Sequence, residues 1–112
     1  MAKIQFIPLD LTFRDDPKIR KLRHYIDNDA DIIFIEIFMA IFRGGSFYIH
    51  YFSDFLEIIA LERKNWNLEK VKKVFTKCLE LDLINKDLYE KYGILTSKGI
   101  QTRFFYIAEK SK

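Results

Sequence analysis

The chain has a single cysteine, Cys78, so no disulfide can close within it, and this fits a reducing cytoplasm. Two prolines and four glycines are too few for an all-β fold built on tight turns, or for a disordered tail. No long apolar run is present. The longest, Ile32 to Phe42, is broken by Glu36 and falls well short of the ~20 residues that cross a bilayer, so no membrane partner is expected. The opening MAKIQFIPLD holds one lysine and then Pro8 and Asp10, which is no secretory signal. Gly-rich phosphate loops, GxSxG elbows and HExxH pairs are all missing, so neither an enzyme nor a cofactor is expected.

What remains is a chain of 112 residues, 49% hydrophobic and 31% charged, sized for one domain with a buried core. Eleven Phe and six Tyr make that core aromatic. The net charge of +3 is too mild to name a partner by itself.

Asp16 and Pro17 are suited to the cap and first turn of a helix, and Ile19, Leu22 and Ile26 recur at helical spacing. Lys18, Arg20, Lys21 and Arg23 give that helix a basic outer face, either a second phosphate site or a solvated surface. Residues 29–43 have strand-forming Ile and Phe but no alternation. As a helix they leave Asp29, Glu36, Ala40 and Arg43 on a narrow stripe and an apolar surface everywhere else, so the segment reads as a helix either central to the core or buried against another subunit. Gly44 and Gly45 then end it as a left-handed cap. Residues 47–51 read as a strand, and Ser53 and Asp54 open the next helix. After a polar break, Asn67 caps a helix over 67–81. Leu83–Ile84 and Gly93–Thr96 read as two strands joined by a polar connection over 85–92, and Ser97 caps a last helix. The strand-like residues 3–11 pair either within the chain or across a dimer.

Two helices, a polar turn and two strands describe a mainly α fold with a small β wing, a winged helix-turn-helix. Between Arg63 and Lys77 there are six basic residues and one acid, so the positive charge gathers on the second of those helices. Lys70, Lys73 and Lys77 fall on one side of it, and Arg63 and Lys64 lie in the turn. These five are the candidate duplex-DNA residues; the competing reading is a solvated lysine face. Lysines in place of Arg, Asn or Gln favour phosphate contact over base readout.

Asp27, Asp29 and Asp31 alternate as calcium-loop ligands do, but Ile32 stands where that loop needs Gly and Phe38 where it needs Glu, so no metal is expected. His24 and His50 have no ligand-spaced neighbours, and Cys78 falls on an apolar helix face, as a packed thiol does. Trp66 in the turn packs under the helix or stands out as an anchor; packing is favoured. Phe104, Phe105 and Tyr106 lie on more than one side of the last helix, which points to a subunit contact or to further chain.

Phe6-x-Pro8-x-Asp10, the run from Phe13 through Asp15-Asp16-Pro17-Lys18-Ile19-Arg20 to Leu22, Arg43-x-Gly45 before Phe47-Tyr48, Cys78-Leu79-Glu80-Leu81-x-Leu83-Ile84, and the block from Lys91 through Gly93-Ile94-Leu95-Thr96-Ser97 to Arg103 are similar to known sequences. They resemble the N-terminal winged-helix domain of phage and mobile-element replication proteins of the DnaD-like, replisome-organiser type. The resemblance implies a winged helix, self-association as a homodimer or higher oligomer, replication proteins as partners, and a role in starting phage or plasmid replication. Such proteins usually continue into a second domain, so residues 1–112 are expected to be one winged-helix domain, either from the N-terminal part of a longer protein or from a shortened relative.

Overall fold

The computed structural model describes residues 13–44 and 47–110, without the side chains of Phe13, Phe104, Ile107, Ala108 and Lys110. The strand expected over 3–11 lies outside the described residues, as does Gly45. After a 3-10 turn at Phe13–Asp15 come α1 (Pro17–Tyr25), α2 (Ala30–Arg43), β1 (Ile49–His50), α3 (Phe55–Ala60), α4 (Leu68–Glu80), α5 (Lys86–Tyr92), β2 (Ile94–Leu95) and α6 (Lys98–Lys110). The fold is mainly helical with one small antiparallel sheet, in which Ile49 faces Leu95 and His50 faces Ile94.

Helix starts follow their side chains. Asp16 accepts from the Lys18 N–H at 2.8 Å, Asn67 from the Lys70 N–H at 2.8 Å, and Ser97 from the Ile100 N–H at 3.1 Å, each satisfying a donor that the first turn leaves open. The apolar wrap of α2 makes it the centre of the core. Ile33, Ile37 and Ile41 are fully buried, Phe34, Phe38 and Phe42 nearly so, and the three rings run along it at 5.1–5.5 Å between neighbours. Ile19 and Leu22 of α1, Val71, Val74 and Cys78 of α4, and Ile100 of α6 close around it. Burial pushes the Cys78 thiol well up from its ordinary value, so it is an inert packed group.

Gly44 ends α2 in a right-handed conformation (φ −67°), not the left-handed one its sequence suggests. Its missing side chain serves a different need: a Cβ there would strike the side chain of Ile49, so glycine lets the end of α2 approach β1.

The wing departs from expectation. Leu83 and Ile84 form no strand, and β2 pairs with β1 instead. The cause is the exit from α4. The Leu83 N–H bonds back to the Cys78 carbonyl at 2.9 Å and the Asp82 N–H to Leu79 at 3.3 Å, with Asp82 left-handed at φ 60°. This is a Schellman ending with aspartate where glycine usually stands. Only the Asn85 N–H, 2.7 Å from the Thr96 carbonyl, continues toward the sheet. The connection expected over 85–92 is the helix α5, capped by Asn85 on the Leu88 N–H and ended by left-handed Gly93. Asp82 combines an unfavourable φ with negative charge at a helix C-terminus. Asp82→Gly should therefore stabilise the domain by about 1 kcal/mol, read as a raised midpoint in urea.

Candidate nucleic-acid interface

The α4 residues that face the core are Val71, Val74, Phe75 and Cys78. Opposite them Glu69, Lys72, Lys73, Thr76 and Glu80 are exposed. Lys70 and Lys77 stand on the flank between, where the corner joining α1 and α2 packs.

That corner takes Lys70. Its Nζ lies 2.7 Å from Asp27 Oδ2 and 3.0 Å from Asp29 Oδ2, and its side chain is only 19% exposed. The Asn65 amide donates to the same Asp29 carboxylate at 3.2 Å. The alternating acids thus hold the α3–α4 turn against the start of α2. The third acid, Asp31, is buried and takes Arg14 at 2.7 Å and Arg23 at 3.4 Å. Arg23 also donates to the Arg14 carbonyl at 2.7 Å and so leaves the basic face expected on α1, where Arg20 sits 3.3 Å from Asp15. Among the described residues, no group of three or more His, Cys, Asp or Glu side chains is placed to hold a metal ion.

The five candidate residues therefore divide. Lys70 is bound within the chain. Lys77 reaches Glu80 at 2.7 Å, lies 4.5 Å over the Tyr25 ring, and is 25% exposed. Lys73 is 65% exposed, with Glu69 no nearer than 3.8 Å. Arg63 and Lys64 are exposed in the turn, and the Arg63 guanidinium lies 5.6 Å over Trp66, which is buried as the favoured reading had it. Lys72 was not among the candidates, yet it is exposed beside Lys73 on the outer face. Leu68 and Leu79 are only half-buried. Counting them as core turns the apparent polar face toward Lys70 and Lys77 and away from Lys72. The outward cations are thus Arg63, Lys64, Lys72 and Lys73.

Burial alone would raise the Asp27 carboxyl, but the Lys70 hydrogen bond, the Asp29 N–H and the lysine charge outweigh it and hold the group below its ordinary 3.8. Lys70 moves above its ordinary 10.5, chiefly through the hydrogen bond to Asp27; burial opposes this and Asp29 adds to it. A lowered carboxyl adds stability that is complete above its unfolded pKa and lost as pH falls through the folded one. A raised lysine adds stability that is complete below its unfolded pKa and lost as pH rises through the folded one. Both acids are partly exposed, so screening keeps the gain small. Lys70→Gln should cost about 1 kcal/mol at neutral pH, and the cost should shrink as pH falls through the folded Asp27 pKa, as a urea-unfolding series from neutral pH downward would show.

Among the described residues, no helix is long and apolar enough to cross a membrane. No solved structure matches the chain. Among curated proteins, the "Uncharacterized phage-related protein Lin1244/Lin1753" of Listeria innocua serovar 6a is 28% identical over 102 residues, covering 91% of this chain and 33% of that protein. The chain spans a third of the length of this relative. The family model for the Lin1244/Lin1753-like N-terminal domain matches residues 6–100, and the chain belongs to that family.

Proposed function

We propose that this domain is a non-enzymatic winged-helix module that binds duplex DNA in phage-type replication initiation. The observation that carries the reading is the outward cluster of Lys72 and Lys73 on α4 with Arg63 and Lys64 in the turn before it, all exposed. A helix presented after a short turn is the element that enters a major groove, and lysines on it meet phosphates. The element order that supports the winged-helix reading is β1, α3, turn and α4, then a return to the sheet through β2, although a helix, α5, stands where the second wing strand was expected. Phage association rests on the phage-related Listeria relative, and replication on the resemblance to DnaD-like proteins.

The test is a salt series of duplex binding. Four phosphate contacts give log affinity a slope of about −3.6 against log salt, or roughly a 100-fold loss between 50 and 200 mM. A slope near zero would remove the proposal.

A second reading, self-association, is favoured by Phe105 and Tyr106 on α6, which are 56% and 50% exposed. Sedimentation at tens of micromolar decides it: a dimer or larger species supports this reading, and a monomer counts against it.

A further inference from the structure

Two exposed strips of opposite charge belong neither to the outward cations of α4 nor to the α6 rings. On the outer side of α3, Asp54, Ile58 and Glu62 follow one another at four-residue spacing, with Glu57 and Leu61 beside them. The Leu61 N–H bonds to the Glu57 carbonyl at 3.2 Å and the Glu62 N–H to the Ile59 carbonyl at 3.1 Å, so the helical path runs to the end of this strip. All five side chains are exposed, Ile58 at 50% and Leu61 at 82%. Among the described residues the three carboxylates have no cation partner. The second strip is what remains of the basic face of α1 once Arg20 is held by Asp15 and Arg23 by Asp31 and the Arg14 carbonyl. Lys18, Lys21 and Tyr25 lie on one stripe about 60° wide at ~100° per residue. All three are exposed, Tyr25 at 60%, and the two lysines have no ion-pair partner among the described residues. Asp82 lines a groove with Lys18 and tempers the charge there, which leaves Lys21, one turn from Tyr25, as the centre of the stripe.

We propose that α1 of one copy of the chain docks on the outer side of α3 of another. The Tyr25 ring covers Ile58 and Leu61, and Lys18 and Lys21 meet Glu57 and Glu62. Charge selects this occupant. Three carboxylates around an aliphatic pair repel a phosphate backbone or an anionic membrane, which removes both from this face. Contacts of like with like, α3 on α3 or α1 on α1, set acid against acid or lysine against lysine. Pairing α3 with α1 gives each charge its opposite and the two aliphatic side chains a ring to pack on. The lengths agree as well: at 1.5 Å per residue, Lys18 to Tyr25 spans about 10.5 Å and Asp54 to Glu62 about 12 Å. Two helical turns laid on two turns make a small contact, so the association belongs to the weak, transient class. It depends on neither the duplex reading nor the α6 contact.

The experiment is sedimentation of the whole chain from about 10 to 300 µM, at about 50 and 500 mM salt. Association should be present at the lower salt and weaken about threefold or more at the higher, because exposed ion pairs are screened. Glu57→Lys with Glu62→Lys in one variant, and Lys18→Glu with Lys21→Glu in a second, should each weaken association about tenfold or more while the melting temperature stays within a few degrees. Mixing the two variants, or placing all four reversals in one chain, should restore association, which a loss of folding would not do. Leu61→Ser should weaken association and leave duplex binding within about threefold, so the duplex reading stands or falls separately. A wild-type chain that remains monomeric at about 300 µM and the lower salt overturns the proposal. Association that both reversals leave intact overturns it too and places the contact on α6. Failure of the mixture and of the fourfold variant to associate is the third result that would overturn it.

Discussion

Reversal of Arg63, Lys64, Lys72 and Lys73 to glutamate should reduce duplex binding at least 100-fold and leave the melting temperature within a few degrees of wild type. All four are exposed, and among the described residues Arg63, Lys64 and Lys72 have no carboxylate partner. Apart from the Arg63 guanidinium over the buried Trp66 ring, their replacement breaks no contact with a buried residue, and surface changes of this kind stay near ±0.5 kcal/mol each. Each lost phosphate contact removes about 0.9 from the salt slope, and the introduced carboxylates add repulsion. Lys70→Gln is the control with the opposite signature. Its ammonium already serves Asp27 and Asp29, so the variant should lose stability while binding duplex DNA within about threefold of wild type. If Lys70→Gln abolishes binding and the fourfold reversal does not, the interface lies on the α1 flank of α4 and not on its outer face.

That contrast shows where the sequence was legible and where it was not. The rod of α4 and its Asn67 cap were readable, because a cap and an apolar stripe are local properties. The burial of α2 was readable too, since a helix apolar on nearly all sides must be covered, although the sequence left open whether its own core or another subunit covers it. Which lysine meets solvent was not readable. That depends on a corner 41 residues away from Lys70, where Asp29 waits for it. The same three acids that mimic a calcium loop turned out to receive Lys70, Asn65, Arg14 and Arg23. Alternation of acids along the chain carries no record of cations that arrive from other helices.

The wing failed for a different reason. Leu83 and Ile84 have strand propensity, but the two N–H groups there are taken by the Cys78 carbonyl at 2.9 and 3.3 Å. Aspartate at the left-handed position hid the helix ending that glycine would have announced. For α5 the signals were present, Asn85 before it and Gly93 after it, yet its seven residues include none that is buried, and periodicity has nothing to register.

Trp66 supplies the second large expected effect, and it links the core to the interface. The side chain is 5% exposed beneath the α3–α4 turn, with Arg63 over its ring. Its indole Nε1 is buried and has no hydrogen-bond partner among the described residues. Truncation and shortening should therefore separate. Trp66→Ala removes a buried aromatic and opens a cavity, at a cost of about 3–5 kcal/mol. Trp66→Phe keeps most of the packing and deletes an N–H whose desolvation went uncompensated, a penalty of about 1–3 kcal/mol that offsets the smaller lost volume. The phenylalanine variant should stay within about 1 kcal/mol of wild type and bind duplex DNA as well, because the turn still rests on a ring. The alanine variant should lose both stability and affinity, since Arg63 and Lys64 take their positions from that turn. Urea unfolding with a duplex titration on both variants checks the pair. A phenylalanine variant as unstable as the alanine one would mean that the indole N–H has an acceptor, such as a trapped water, and that the turn is held by a hydrogen bond and not by packing.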